Sequence, residues 1–259
     1  MNDTAFRPID VALGVYGRDD FVNASVPTAP TLKSLVYAAN VRASRLAGAM
    51  RALLNAGFNA EAFMLSRSLL ELDIHISFCV CPDVPDALAK IESGSAEDGA
   101  MRAEVESRIS KFFAFGLWRG LKLLDGLAEL GAEIELSDLR AVRESLTGVH
   151  KFTERTQNWC GISVHKMVVA TGIEELSSRY RLIYSPSSDG LHANAVALFW
   201  DRDGVGPSPF DPELACWSAT RDLAVFLHYL AQEFPAAISR AALAEFDAAK
   251  DALERRARG

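Results

Sequence analysis

Between Ala60 and Cys81 apolar side chains fall on nearly every side of a helical wheel, and this stretch limits what the whole chain can become. Ala62, Leu65, Leu69, Leu72, Ile76 and Val80 form one broad apolar face, and Phe63, Met64, Ile74 and Phe78 cover most of the remainder. Ser66, Asp73 and Ser77 leave only a narrow polar edge. A helix with so little polar surface needs other elements around it, so it is expected at the centre of a bundle. Within that apolar circumference stand Arg67, Glu71 and His75, four residues apart and therefore stacked along one line. Ionisable groups inside an apolar shell must pair or bind something. Two outcomes stay open here: Arg67 pairs with Glu71 or a facing carboxylate and fixes helix register, or the line borders a functional pocket.

The same period runs through the rest of the chain. Helices are expected over 31–56, stopped by Gly57, and over 60–81, capped by Asn59 and ended before Pro82. A helical stretch from Pro85 weakens at 92–99 and resumes over 101–130. Further helices are expected over 137–146, 162–170 with Gly172 as stop, 174–184, 185–200, 213–234 and 236–256. No segment alternates apolar and polar residues, so the fold class is all-α: a multi-helix up-down bundle with long antiparallel helices. Pro8, Gly14, Gly17, Pro27 and Pro30 mark residues 1–30 as an N-terminal arm, leaving 31–259 as a single helical domain, with 201–212 its clearest loop.

The chain holds no apolar run of about 18 residues and its start lacks the basic and apolar regions of a signal peptide, so no membrane span and a cytoplasmic location are expected. Four scattered cysteines do not make a disulfide framework. A net charge of −7 argues against a non-specific polyanion binder and leaves room only for a local basic cleft. No glycine-rich phosphate loop and no Gly-x-Ser-x-Gly elbow is present, so no cofactor is expected.

A second line of functional residue types follows. Tyr180, Tyr184, Ser188 and His192 are each four apart, with Pro186 between the two halves. Arg67-Ser68-Leu69-Leu70-Glu71 on an early buried helix, then Tyr184-x3-Ser188-x3-His192 after Trp159 and a Gly172 turn, resembles a bacterial helical family of unknown function over roughly residues 40 to 200. That family in turn resembles the HEPN helical bundles, which include metal-independent ribonucleases and nucleotidyl-transferase partners of toxin and defence systems. By position the resemblance makes Arg67, Glu71, Tyr184, Ser188 and His192 the signature residues. It also implies a histidine acting on a 2′-hydroxyl and, with four to six residues between them, a preceding arginine steadying phosphate. Arg143 with His150 and, better, Arg221 with His228 fit that spacing by count.

The resemblance therefore implies RNA cleavage without metal, or nucleotide binding. His192 or His228 would be the acid–base group, Arg67 or Arg221 the phosphate holder, and Glu71, Tyr184 and Ser188 would complete the cluster. RNA or a nucleotide is the implied partner, and a homodimer through helix faces is expected, with the apolar stripe from Val225 to Leu230 as the candidate face. Two alternatives stand beside it. Glu71, His75 and His192 offer a carboxylate and imidazole set for a bundle metalloenzyme, although di-iron bundles use Glu-x-x-His twice. The polar cluster is otherwise structural, in a non-catalytic interaction protein. Residues 162–181 have the cadence of a helix-turn-helix with Arg179 and Arg181 on its second helix, but Glu174 and Glu175 sit where phosphate would be met, so core packing is expected there.

Overall fold

The computed structural model describes residues 3–80, 98–130, 137–153, 155–156, 158–184 and 211–258. Among them every regular element is helical: α1 (Asp3–Tyr16), α2 (Asp19–Val22), α3 (Leu32–Asn55), α4 (Asn59–Val80), α5 (Asp98–Glu129), α6 (Ser137–His150), α7 (Val164–Thr171), α8 (Glu174–Arg179), a π-helical turn (Tyr180–Tyr184), α9 (Pro212–Glu233) and α10 (Arg240–Arg258). The helices expected over 85–97 and 185–200 and the loop over 201–210 lie outside the described residues.

Local chemistry sets the main boundaries. Thr31 and Ser34 close a capping box on α3, the Thr31 hydroxyl accepting from the Ser34 amide at 3.2 Å and the Ser34 hydroxyl from the Thr31 amide at 2.8 Å. Asp211 caps α9, and Pro212 follows where its missing N–H costs nothing. Helix α4 is the central element, packed against α3, α9, α7, the π-helical turn and α5. Phe63, Leu69, Leu70, Ile74 and Ile76 are wholly buried on it, as an all-round apolar wheel requires. No helix among the described residues is long and apolar enough to cross a membrane.

Two expectations are corrected here. Residues 3–16 are not a draped arm but a helix of the core. Pro8 and Gly14 read as breakers, yet Ala5, Phe6, Ile9, Ala12, Val15 and Tyr16 recur at three and four and are all buried against α3, α9 and α10. That burial outweighs the one hydrogen bond a helical proline forgoes. The Tyr16 hydroxyl donates to Asn40 Oδ1 at 3.0 Å and Asn40 Nδ2 donates to the Phe226 carbonyl at 3.1 Å, tying α1, α3 and α9 together inside the core. The stripe from Val225 to Leu230 is likewise no free face. Phe226, Leu227 and Leu230 are buried within this same chain, so the dimer surface expected there is already used.

Helix α6 hangs on α5 and buries none of its own residues. Trp118 Nε1 donates to Thr147 Oγ1 at 3.0 Å, and Asp125 accepts from Arg140 at 2.9 Å and Arg143 at 2.8 Å. These polar links flank a buried aromatic cluster in which Phe115, Trp118 and Phe152 pack on one another.

Candidate functional site

The polar residues of α4 divide into two sets, and the deeper one is the edge that seemed least informative. Ser66, Asp73 and Ser77 point into the core. Asp73 accepts from Ser77 Oγ at 3.0 Å through Oδ1 and from Arg179 Nη2 at 2.8 Å through Oδ2. Arg179 also binds Asp222 of α9 through Nη1, and all three side chains are at most 3% exposed. Burial alone would favour the neutral guanidine, but the charges of Asp222 and Asp73 hold Arg179 protonated. Burial holds the Asp222 carboxyl well above the usual carboxylate range against the pull of Arg179, and the Asp73 charge adds to the rise. Two interior carboxyls thus share one buried cation. Asp222→Asn is accordingly expected to change the unfolding free energy by less than about 1 kcal/mol at neutral pH. It should also remove a loss of stability that sets in as pH rises above the ordinary carboxyl range, because a raised folded-state pKa contributes stability below the unfolded value and loses it toward the folded one. Urea titrations of both proteins at pH 5 and 8 read this directly.

Gly172 brings Arg179 inward. Its φ of 66° ends α7 in the left-handed region, and α8 starts two residues later. The helix-turn-helix cadence of 162–181 therefore packs on α4 with its first arginine, Arg179, buried and Arg181 left exposed.

Of the line of Arg67, Glu71 and His75, Glu71 and His75 border an open cleft of about 470 Å³ between α4, α5, the start of α7 and the π-helical turn, and Arg67 lies behind it against the Tyr184 ring. The wider π turn places Tyr180 and Tyr184 almost one above the other, so their rings stack with centroids 4.7 Å apart and planes 20° from parallel. The Arg67 guanidinium lies over the Tyr184 ring at 4.1 Å. Its Nε and Nη1 atoms are buried with no hydrogen-bond partner among the described residues. Across the cleft stand Phe112, Phe115 and Trp159, with Arg119 exposed and outside any ion pair among the described residues.

His75 is held in one protonation state. Trp159 Nε1 donates to His75 Nδ1 at 3.1 Å, and since an indole N–H only donates, Nδ1 must carry the lone pair. The ring proton is then on Nε2, 4.0 Å from Glu71 Oε1. Burial pushes the His75 pKa down to about 4, so the ring is neutral at physiological pH and presents an N–H donor to the cleft. Trp159 is fixed in turn by edge-on contacts with Phe78 and Phe112.

The structure thus brings Arg67, Glu71, His75 and Tyr184 to one place. Ser188 and His192 lie outside the described residues. Arg221 and His228 lie elsewhere, on α9: Arg221 bridges Glu175 at 3.2 Å and Glu254 at 3.0 Å, while His228 has Nδ1 on the Ala224 carbonyl and Nε2 3.6 Å from Asp247. For the metal alternative, no three His, Cys, Asp or Glu side chains converge among the described residues, and the free lone pair of His75 is taken by Trp159. Sequence reading missed the Arg179, Asp73 and Asp222 cluster; a charge on the inner face of each of three helices was its only trace.

These features define an all-α bundle protein with a charged core and an aromatic-walled cleft beside its central helix. Residues 33–205 match the family of unknown function DUF5677, and the chain belongs to that family. No curated protein matches the chain, and no solved structure does.

Proposed function

We propose that this protein binds a nucleotide in the cleft between α4, α5 and the π-helical turn. The observation that carries the reading is the stack of Arg67 on Tyr184 on Tyr180, with guanidinium donors that nothing in the described chain satisfies. Tyrosine and tryptophan walls suit a flat base, and every base has a π-face to offer them. The exposed guanidinium of Arg119 suits phosphate, and Arg67 backs the tyrosine stack from behind. Glu71 and the Nε2–H of His75 supply an acceptor and a donor for a base edge.

The HEPN-like expectation joins this reading on its binding side. Cleavage of RNA needs a group that takes the 2′-hydroxyl proton, and His75 as held by Trp159 offers a proton instead of a lone pair. Arg221 and His228 are each engaged by carboxylates. The reading is of a cytoplasmic bacterial protein, for which the support is that Cys79, Cys160 and Cys216 are free thiols, the state a reducing compartment maintains.

Calorimetric titration with the four ribonucleoside 5′-monophosphates tests it. At least one should bind saturably, and Tyr184→Ala should weaken it by about 1–3 kcal/mol, roughly 5- to 150-fold, as expected for the loss of one stacked base contact. Failure of all four to bind, or affinity unchanged from wild type in both Tyr184→Ala and Tyr180→Ala, overturns the proposal.

A further inference from the structure

Helix α4 floors the aromatic cleft, and the helical period decides what it presents there. Glu71 and His75 stand one turn apart and both line the cleft. Helix α5 and the π-helical turn each pack on α4. Phe112 and Trp159 form one side of the cleft, and Tyr180 and Tyr184 the other. A flat ring that slides between these sides reaches the floor edge-on, so its edge is read by the two α4 side chains.

Those side chains do not satisfy each other. Glu71 Oε1 lies 4.0 Å from His75 Nε2, beyond hydrogen-bond length, and the Trp159 donor on Nδ1 keeps the ring neutral, so the pair carries no ionic attraction. Neither makes a further hydrogen bond or ion pair among the described residues. The same Trp159 donation puts the remaining ring proton on Nε2. The floor thus offers three uncommitted polar positions: one N–H donor and, beside it, the two acceptor oxygens of a carboxylate.

Such a floor sorts the bases. Guanine carries along one edge a carbonyl, O6, followed by two adjacent donors, N1–H and the 2-amino group. A carboxylate can take both donors with its two oxygens, as it takes the fork of an arginine, while a neighbouring N–H donates to O6. Adenine and cytosine each set a single amino donor beside a ring-nitrogen acceptor, whose lone pair would face the second carboxylate oxygen. Uracil flanks its one N–H with two carbonyls. Among the four, guanine alone fills all three positions with no repelling pair.

We infer that the cleft selects guanine, with Glu71 accepting from N1–H and the 2-amino group and His75 Nε2–H donating to O6. This rests on the nucleotide reading of the cleft and names the base. A wrong base leaves the His75 donor, on a side chain only 15% exposed, poorly paired, which adds to the discrimination. The 2-amino-4-oxo ring of a pterin carries the same edge without phosphate, and exposed Arg119 on the cleft wall favours the phosphate-bearing source.

Calorimetric titration with GMP, IMP, AMP, CMP and UMP, and with neopterin, tests this. GMP should bind most tightly, about 5- to 150-fold better than AMP, the discrimination expected of one good bidentate pair. IMP keeps O6 and N1–H and lacks only the 2-amino group, so it should fall between them. Glu71→Gln exchanges one acceptor oxygen for a donor and should erase the preference for GMP over AMP. The Glu71 side chain is 39% exposed, so this exchange should leave the thermal unfolding midpoint unchanged. AMP, CMP or UMP binding as tightly as GMP, with the Tyr184→Ala loss retained, overturns guanine selection and leaves the nucleotide reading standing. A GMP preference that survives in Glu71→Gln, or IMP affinity equal to that of GMP, also overturns it. Neopterin binding more tightly than GMP overturns the nucleotide as the source, and binding by none of these compounds overturns the nucleotide reading itself.

Discussion

Arg179→Leu is expected to lower the unfolding free energy by about 3–5 kcal/mol, the range for removing one partner of a buried ion pair. The substitution leaves Asp73 and Asp222 facing each other with no cation, at positions 1% and 0% exposed. Leucine fills much of the volume, so the loss is electrostatic and not a cavity effect. Two comparisons make the expectation sharp. Asp222→Asn, which keeps the Arg179–Asp73 pair, should be nearly neutral. A triple replacement by leucine at 73, 179 and 222 should recover a large part of what Arg179→Leu loses, because no buried charge is then left alone. Equilibrium urea unfolding at pH 7 is the measurement, and a loss under about 1 kcal/mol for Arg179→Leu would show that water reaches this cluster.

The second large effect depends on pH. His75 titrates near 4 in the folded protein against an ordinary 6.5, so folding is opposed by its protonation. Its contribution is complete above about pH 6.5 and is lost as pH falls toward 4, by up to about 3 kcal/mol. Asp222 acts in the opposite sense over part of the same interval, so the wild-type profile alone does not isolate the histidine. The difference between wild type and His75→Phe does. Relative to the variant, wild type should lose about 3 kcal/mol between pH 7 and pH 4. Parallel profiles for the two proteins would mean that His75 is solvated in the native state.

Much of the architecture was legible in the sequence because period and punctuation agree. Gly57, Asn59, Ser137 and Gly172 each stand where an element stops or starts. The first sixteen residues were not, since Pro8 and Gly14 mask an apolar period that only tertiary burial makes decisive. The site was half legible. Spacing on α4 put Arg67, Glu71 and His75 on one line, and the four-residue interval brought Tyr180 and Tyr184 together, through π rather than α geometry. What spacing could not supply was rotation. The wheel showed a narrow edge of Ser66, Asp73 and Ser77 but not that this edge faces inward, because that depends on Arg179 and Asp222 arriving from 106 and 149 positions farther along the chain.

Arg179 is the last residue of α8, and Tyr180 is the next residue along. The interior salt link is thus also the hinge pin of the tyrosine wall: the bond that clamps α8 to α4 and α9 fixes where the two rings stand. Firmness of the fold and the placement of the two rings are one mechanical property in this molecule, so a change at Asp73 or Asp222 would reshape the cleft without touching it.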